Sequence, residues 1–202
     1  MTDLVYTNSM ISARAAVYML NHARIQSLVR ARNQQAAAKV LQDMDYKNIN
    51  GTTDAIIETE RKRTFETFVA HCPDRAVNEC VTAMYKFITT KVPQNKTLAQ
   101  AEQELNEKLG AAIPKVKSAK LRAYFQTILD AWAHGRKVFY GALWEAADEM
   151  KTDLGSVGPL FYWYVQKQFE FVVVRIILTG RLLGFDRDRI IEDLEGLYER
   201  FK

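Results

Sequence analysis

The chain has 202 residues, of which 48% are apolar and 26% charged, with a formal net charge of +4. That length can bury a substantial core as one domain or two small ones, and the balance is that of an ordinary globular protein. The mild positive charge permits an acidic partner without requiring nucleic acid, and 9 glycines with 4 prolines are too few turn residues for an all-β domain.

Helical signals begin at Ser9, read as the cap of a helix carrying Ile11, Ala15, Tyr18 and Met19. No acidic residue lies between Asp3 and Asp43, while Arg14, Arg24, Arg30, Arg32 and Lys39 all do. This is either a basic face for an acidic partner or a solvated surface balanced by acidic helices such as 102–107 and 192–199. A break is expected near residues 48–51. Thr52 or Thr53 then precedes a run with Ile56, Ile57, Thr64, Phe65 and Phe68. Cys72-Pro73-Asp74 opens another run, with Val77, Val81, Met84, Tyr85 and Ile88. If Pro73 and Asp74 form the first turn, Cys72 and Cys80 sit about two turns or about 12 Å apart, too far for a disulfide. Two reduced thiols are expected.

After a second break at 93–96, Thr97 with Gln100 forms a capping-box pattern ahead of Ala101, Leu105 and Leu109. Pro114 fits the first turn of a segment with Leu121, Phe125, Ile128 and Trp132. Further breaks fall at 134–135 and 155–159. Asp186 caps a last helix in which Ile190, Ile191, Leu194, Leu197, Tyr198 and Phe201 recur at close to helical spacing.

The stretch QFEFVVVRIILTGRLLGF, residues 168–185, is the ambiguous one. Its composition favours a strand, but Pro159 as a start and Gly180 and Gly184 as stops leave a segment far longer than the usual five or six residues of a strand. Projected as a helix, Gln166, Lys167, Glu170 and Arg181 share one side, and Gln168, Arg175 and Thr179 form a narrow seam. Apolar residues fill most of the rest. The polar and charged side chains argue against a membrane span, so residues 160–180 are expected to form an enclosed helix of a bundle. Arg175 then needs an acceptor on a neighbouring helix or access to solvent. Glu170, about 140° away around the axis, is not expected to neutralise it. The expected fold is all-α, with seven to nine helices and no sheet. The 202 residues form a single helical domain or two packed sub-bundles of about 1–95 and 96–202.

The stretch PLFYWYVQKQFEFVVVRIILTGRLLGFDRDRIIEDLEGLY resembles the end of the C-subunit family of the A/V-type rotary ATPases, whose eukaryotic V-ATPase members are called d-subunits. Lys167, Glu170, Arg175, Gly180, Gly184 and the helix from Arg187 match the family pattern. Gln168 stands where an acid is usual, Val173 where an Asn is usual and Arg181 where a Lys is usual. At the other end, YTNSMISARAAVYMLNHARIQSLVRARNQQAAAKVLQDMDYKNI is similar to the family's first helix, with Arg14, and to a later element from Leu41 to Tyr46 in which Met44 takes a Thr position. Family members are longer and built of three related helical bundles, so the chain resembles a reduced member. The resemblance implies a non-catalytic part of a proton- or sodium-translocating motor. It would be a cytoplasmic helical funnel, peripheral to the membrane, receiving stalk subunits D and F and resting on the proteolipid ring. Arg14, Tyr46, Lys167, Glu170, Arg175 and Arg181 are the interface or structural positions it implies, with no cofactor and no metal.

Catalytic motifs are absent from the sequence. There is no phosphate-binding G-x-x-x-x-G-K-[ST] loop and no HExxH, and His22, His71 and His134 are scattered singles. The cysteines lack a CxxC spacing, and Ser9, Ser12, Ser27, Ser118 and Ser156 lie in no nucleophile-elbow context. The alternative to the rotary role is a basic helical adaptor binding an acidic partner or nucleic acid. Aromatic residues do not interleave with the arginines, which weighs against nucleic acid. No transmembrane segment and no secretory signal are expected.

Overall fold

The structure, a computed structural model, describes residues 7–11, 13, 17–89, 97–133, 144, 147–153 and 155–199. Among these, eight α-helices and one 3-10 turn have definite bounds, residues 7–11 are helical as well, and there is no strand. The all-α expectation and its helix count hold. The helices are α1 (His22–Arg30), α2 (Gln34–Asp43), α3 (Thr53–His71), α4 (Arg75–Thr89), α5 (Leu98–Ala112), α6 (Ala119–Ala133), α7 (Gly158–Leu182) and α8 (Arg187–Glu199), with the 3-10 turn at Ile113–Lys115.

Capping side chains set most of the starts. Thr97 accepts from the Gln100 N–H while Gln100 accepts from the Thr97 N–H, the reciprocal box expected for α5. Asp186 accepts from the Arg189 N–H at 2.8 Å and starts α8 as expected. Elsewhere the boundary moves. Asp74 is the cap of α4, accepting from Ala76 and Val77 N–H, so Cys72-Pro73-Asp74 precedes the helix. Ser118 takes that role for α6 at 3.3 Å from the Leu121 N–H, because Pro114 belongs to the short 3-10 turn. Residues 7–11 are already helical, so Ser9 is not a cap. Asn21 and Asn33 cap α1 and α2 and divide a stretch that carries no glycine or proline to announce a break. The expected breaks at 93–96 and 134–135 lie outside the described residues.

The ambiguous stretch is helical throughout. α7 runs 25 residues with Pro159 in its first turn. β-branched residues cost a helix little, and burial outweighs that cost. The helix passes through Gly180 and ends at Gly184, whose φ of +76° closes it in the left-handed conformation that glycine adopts freely. A side chain at Gly180 would meet Ile190 Cγ1 at 3.0 Å, so this glycine lets α8 come close instead of stopping α7.

The chain divides into two compact units, each built from separated segments. One comprises Met1–Ile11 and Phe65–Val165, the other Ser12–Thr64 and Gln166–Lys202. In the first, Phe161 is the hub of an aromatic core. Tyr124 meets it edge-on at 4.9 Å, Phe125 at 5.2 Å and Phe68 at 6.2 Å between ring centroids, the edge-to-face geometry that aromatic quadrupoles favour. Cys72 and Cys80 are free and buried in this unit, and burial pushes both thiols up to about 12. In the second unit, Ile25 and Leu28 of α1, Leu41 of α2, Ile57 of α3, Phe171 of α7 and Leu194 of α8 are buried. This unit holds the candidate site.

Candidate functional site

Lys167 and Glu170 lie three residues apart on α7, so both project from one face. The sequence places them on the polar side of the helix, but both are buried, Glu170 at 0% exposure. A carboxylate there needs its lone pairs occupied, since an unpaired buried charge is costly. Glu170 Oε1 accepts from the Tyr46 hydroxyl at 2.9 Å and from Lys167 Nζ at 2.7 Å. Its Oε2 accepts from the backbone N–H of Leu20 at 2.8 Å. One side chain therefore ties α7 to the segment before α1 and to the loop after α2.

Tyr46 is shaped to fill this position. Its ring meets Phe171 edge-on at 6.4 Å, and Lys167 Nζ stands 5.6 Å from its centroid. Burial, followed by the negative charge of Glu170 and the hydrogen bond to it, holds the Tyr46 hydroxyl well above its ordinary pKa. It stays protonated and remains a donor to Glu170.

The neighbours of Tyr46 are held from the other side by α3. Asp45 sits at φ +65°, a left-handed conformation that an aspartate tolerates better than most residues. Arg63 Nη2 donates to the Asp45 carbonyl at 2.6 Å and Nη1 to its carboxylate at 3.1 Å. The same guanidinium donates through Nε to Glu60 at 2.8 Å. Glu60 accepts the Lys47 N–H at 2.7 Å, and the Lys47 ammonium pairs with Asp45. Asp45, Tyr46 and Lys47 are thus each fastened, alternately to α3 and α7. The arrangement positions a loop. Glu170's oxygens are engaged by donors, so its chemistry here is that of a structural anion.

Of the residues singled out in the sequence, Tyr46, Lys167 and Glu170 come together. Arg175 does find a carboxylate on another helix, with Nη2 3.1 Å from Asp54 Oδ1 of α3, but the two side chains are 43% and 74% exposed. Arg175 thus has both the acceptor on a neighbouring helix and the access to solvent expected of it, and the buried charges of α7 are Lys167 and Glu170. Lys167, Tyr46 and the Leu20 N–H satisfy Glu170 internally, while Arg175 reaches the surface. Arg181 stands apart, donating through Nη1 to the Val29 carbonyl at 3.1 Å and capping the last turn of α1. Arg14 lies outside the described residues. Among the basic residues of the N-terminal stretch, Arg24 donates to the carbonyls of Met19 and Val17.

Leu20, Asp45, Glu60 and Arg63 were not legible as partners. Glu60 and Arg63 at i, i+3 carry a weak signal of pairing, whereas a backbone N–H and a left-handed aspartate carry none. Among the described residues no three His, Cys, Asp or Glu side chains are grouped to hold a metal ion. No described helix is long and apolar enough to cross a membrane. No protein-family model matches the chain, and no curated protein and no solved structure matches it.

Proposed function

We propose that the chain is a non-catalytic coupling component of a rotary A/V-type ATPase, a reduced counterpart of its C-subunit, linking the D–F stalk to the proteolipid ring. The supporting observation is the Glu170 junction. The sequence resemblance to that family resides in two stretches at opposite ends of the chain, and the hydrogen bonds of Glu170 to Tyr46 and Leu20 join those two stretches. Lys167, Glu170 and Tyr46 are all positions that the resemblance selects. A part that transmits torque must not yield between its segments, and a buried carboxylate with three donors removes slack at such a join.

The test is association. Purified D–F stalk subunits and isolated proteolipid ring from the same source are each mixed with the tagged chain and recovered by pull-down. Stable capture of both supports the role, and the chain alone hydrolyses no ATP. Failure to capture either at low salt ends the proposal.

A further inference from the structure

Between Glu107 and Asp130 the chain carries no acidic residue, while Lys108, Lys115, Lys117, Lys120 and Arg122 all fall inside. The fold brings the last four to one place. Lys115 ends the 3-10 turn, Lys117 lies in the link after it, and Lys120 and Arg122 stand in the first turn of α6. Val116 and Leu121 are buried and hold this segment to its unit, whereas all four cations are exposed. Lys120 and Arg122 are about 200° apart around the helix, so they flank its exposed side, with Ala119 and Ala123 between them.

These charges are not cancelled locally. Asp74 is the acid bonded to the segment, accepting the Lys117 N–H at 3.5 Å while it caps α4 through Ala76 and Val77. Arg75 beside it is matched by Glu79 at 3.0 Å, and Lys108 adjoins Glu107. Among the described residues no carboxylate pairs with the side chain of Lys115, Lys117, Lys120 or Arg122. Four unpaired cations therefore face one acid.

The rest of the surface narrows the partner. From residue 106 to 127 no large apolar side chain is exposed, and Tyr124 and Phe125 are buried. A bilayer contact needs apolar groups to insert, a protein interface needs an apolar or aromatic core, and a single strand needs aromatic rings to stack on. This face offers charge alone. It suits a partner that brings its own dense negative charge, and a nucleic-acid duplex presents one phosphate charge per about 1.7 Å of axis. Three of the four cations are lysines, whose compact ammonium serves phosphate as a point charge.

We propose that Lys115, Lys117, Lys120 and Arg122 form a docking patch for the phosphate backbone of a nucleic-acid duplex. The contact displaces condensed counterions and carries no base sequence. It is independent of the rotary role and needs neither stalk nor ring.

The experiment is fluorescence anisotropy of a labelled DNA duplex of about 20 base pairs, titrated with the full chain. Binding is expected at about 20 mM salt, with a log–log salt slope of about −3.6 for four phosphates, or about a hundredfold loss between 50 and 200 mM. Changing all four residues to Gln lowers affinity at least tenfold and flattens the slope, with circular dichroism and melting temperature unchanged, because the four side chains are exposed and unpaired. Arg30→Gln with Arg32→Gln and Lys39→Gln, exposed cations elsewhere, leaves binding within about twofold. No binding at low salt, equal affinity of the four-Gln variant, or an equal loss in the control variant overturns the proposal. So does tighter capture by polyglutamate or by phosphatidylglycerol vesicles than by the duplex, which assigns the patch to an acidic protein or a membrane.

Discussion

The hydroxyl of Tyr46 lies 2.9 Å from Glu170 Oε1, a bond between residues 124 positions apart in sequence. The acceptor is charged and buried, and it shares that oxygen with Lys167. Glu170→Ala strands the Lys167 ammonium in the interior and is expected to lower stability by about 3–5 kcal/mol. Tyr46→Phe keeps the ring against Phe171 and removes one bond to a charged acceptor, for a loss of about 1.5–3 kcal/mol. Urea denaturation measures both. A Glu170→Ala midpoint within error of the parent would show that the junction does not support the fold.

Alkaline pH should weaken the protein in a way that Tyr46→Phe partly cures. The pKa of Tyr46 is raised in the folded state, first by burial, so its contribution is complete below the unfolded value near 10 and is lost as pH rises above it. Tyr124, raised by burial alone, behaves likewise. Cys72 and Cys80 act from lower pH, because their folded values of about 12 stand above an ordinary 9.0. Each such group steepens the fall in unfolding free energy by about 1.4 kcal/mol per pH unit within its window. Tyr46→Phe should remove one proton's worth of slope above pH 10. Identical slopes would place the Tyr46 hydroxyl in water.

Arg175→Ala should change little. Its partner Asp54 is mostly exposed, and pairs of that kind contribute about 0–1 kcal/mol. Thermal melts of Arg175→Ala and Asp54→Ala should both fall within that range. A loss above about 3 kcal/mol would mean that Arg175 is held in the interior.

Gly180 and Gly184 should answer differently to substitution. Gly180→Val forces side-chain carbons against the buried Ile190 and is expected to cost about 1–3 kcal/mol. Gly184→Ala meets open space but inherits a φ of +76°, for a cost of about 1–2 kcal/mol. Gly184→Asn, a residue that tolerates that conformation, should recover part of the Gly184→Ala loss, while Gly180→Asn recovers nothing. Equal responses at the two sites would contradict their separate roles.

The sequence was most legible where a local rule has a single outcome. Thr97 with Gln100 and Asp186 with Arg189 close bonds within one turn, and both appear where the pattern puts them. The length of α7 decided against a strand despite its valines. Legibility failed where two local signals compete. Gly180 and Gly184 look alike as stops, and what distinguishes them is the approach of Ile190 at the first and the left-handed φ at the second. Asn21 and Asn33 cap helices, yet asparagine also occurs in helices and loops, so neither marks a break unaided. Helical projection placed Glu170 beside Lys167 correctly but could not say that this side faces inward. That depends on Tyr46 and Leu20, whose arrival is set by the path of the chain.

The junction also fixes an order of events during synthesis. Leu20 and Tyr46 leave the ribosome 150 and 124 residues before Glu170. At about 5–20 residues per second, Tyr46 waits roughly 6–25 s for its acceptor. During that interval α1 and α2 can form, since their asparagine caps are local, but the loop beyond them lacks the α7 side of its clamp. Nascent chains halted before residue 170 should therefore be cut by protease near Tyr46, and chains extended past α8 should resist.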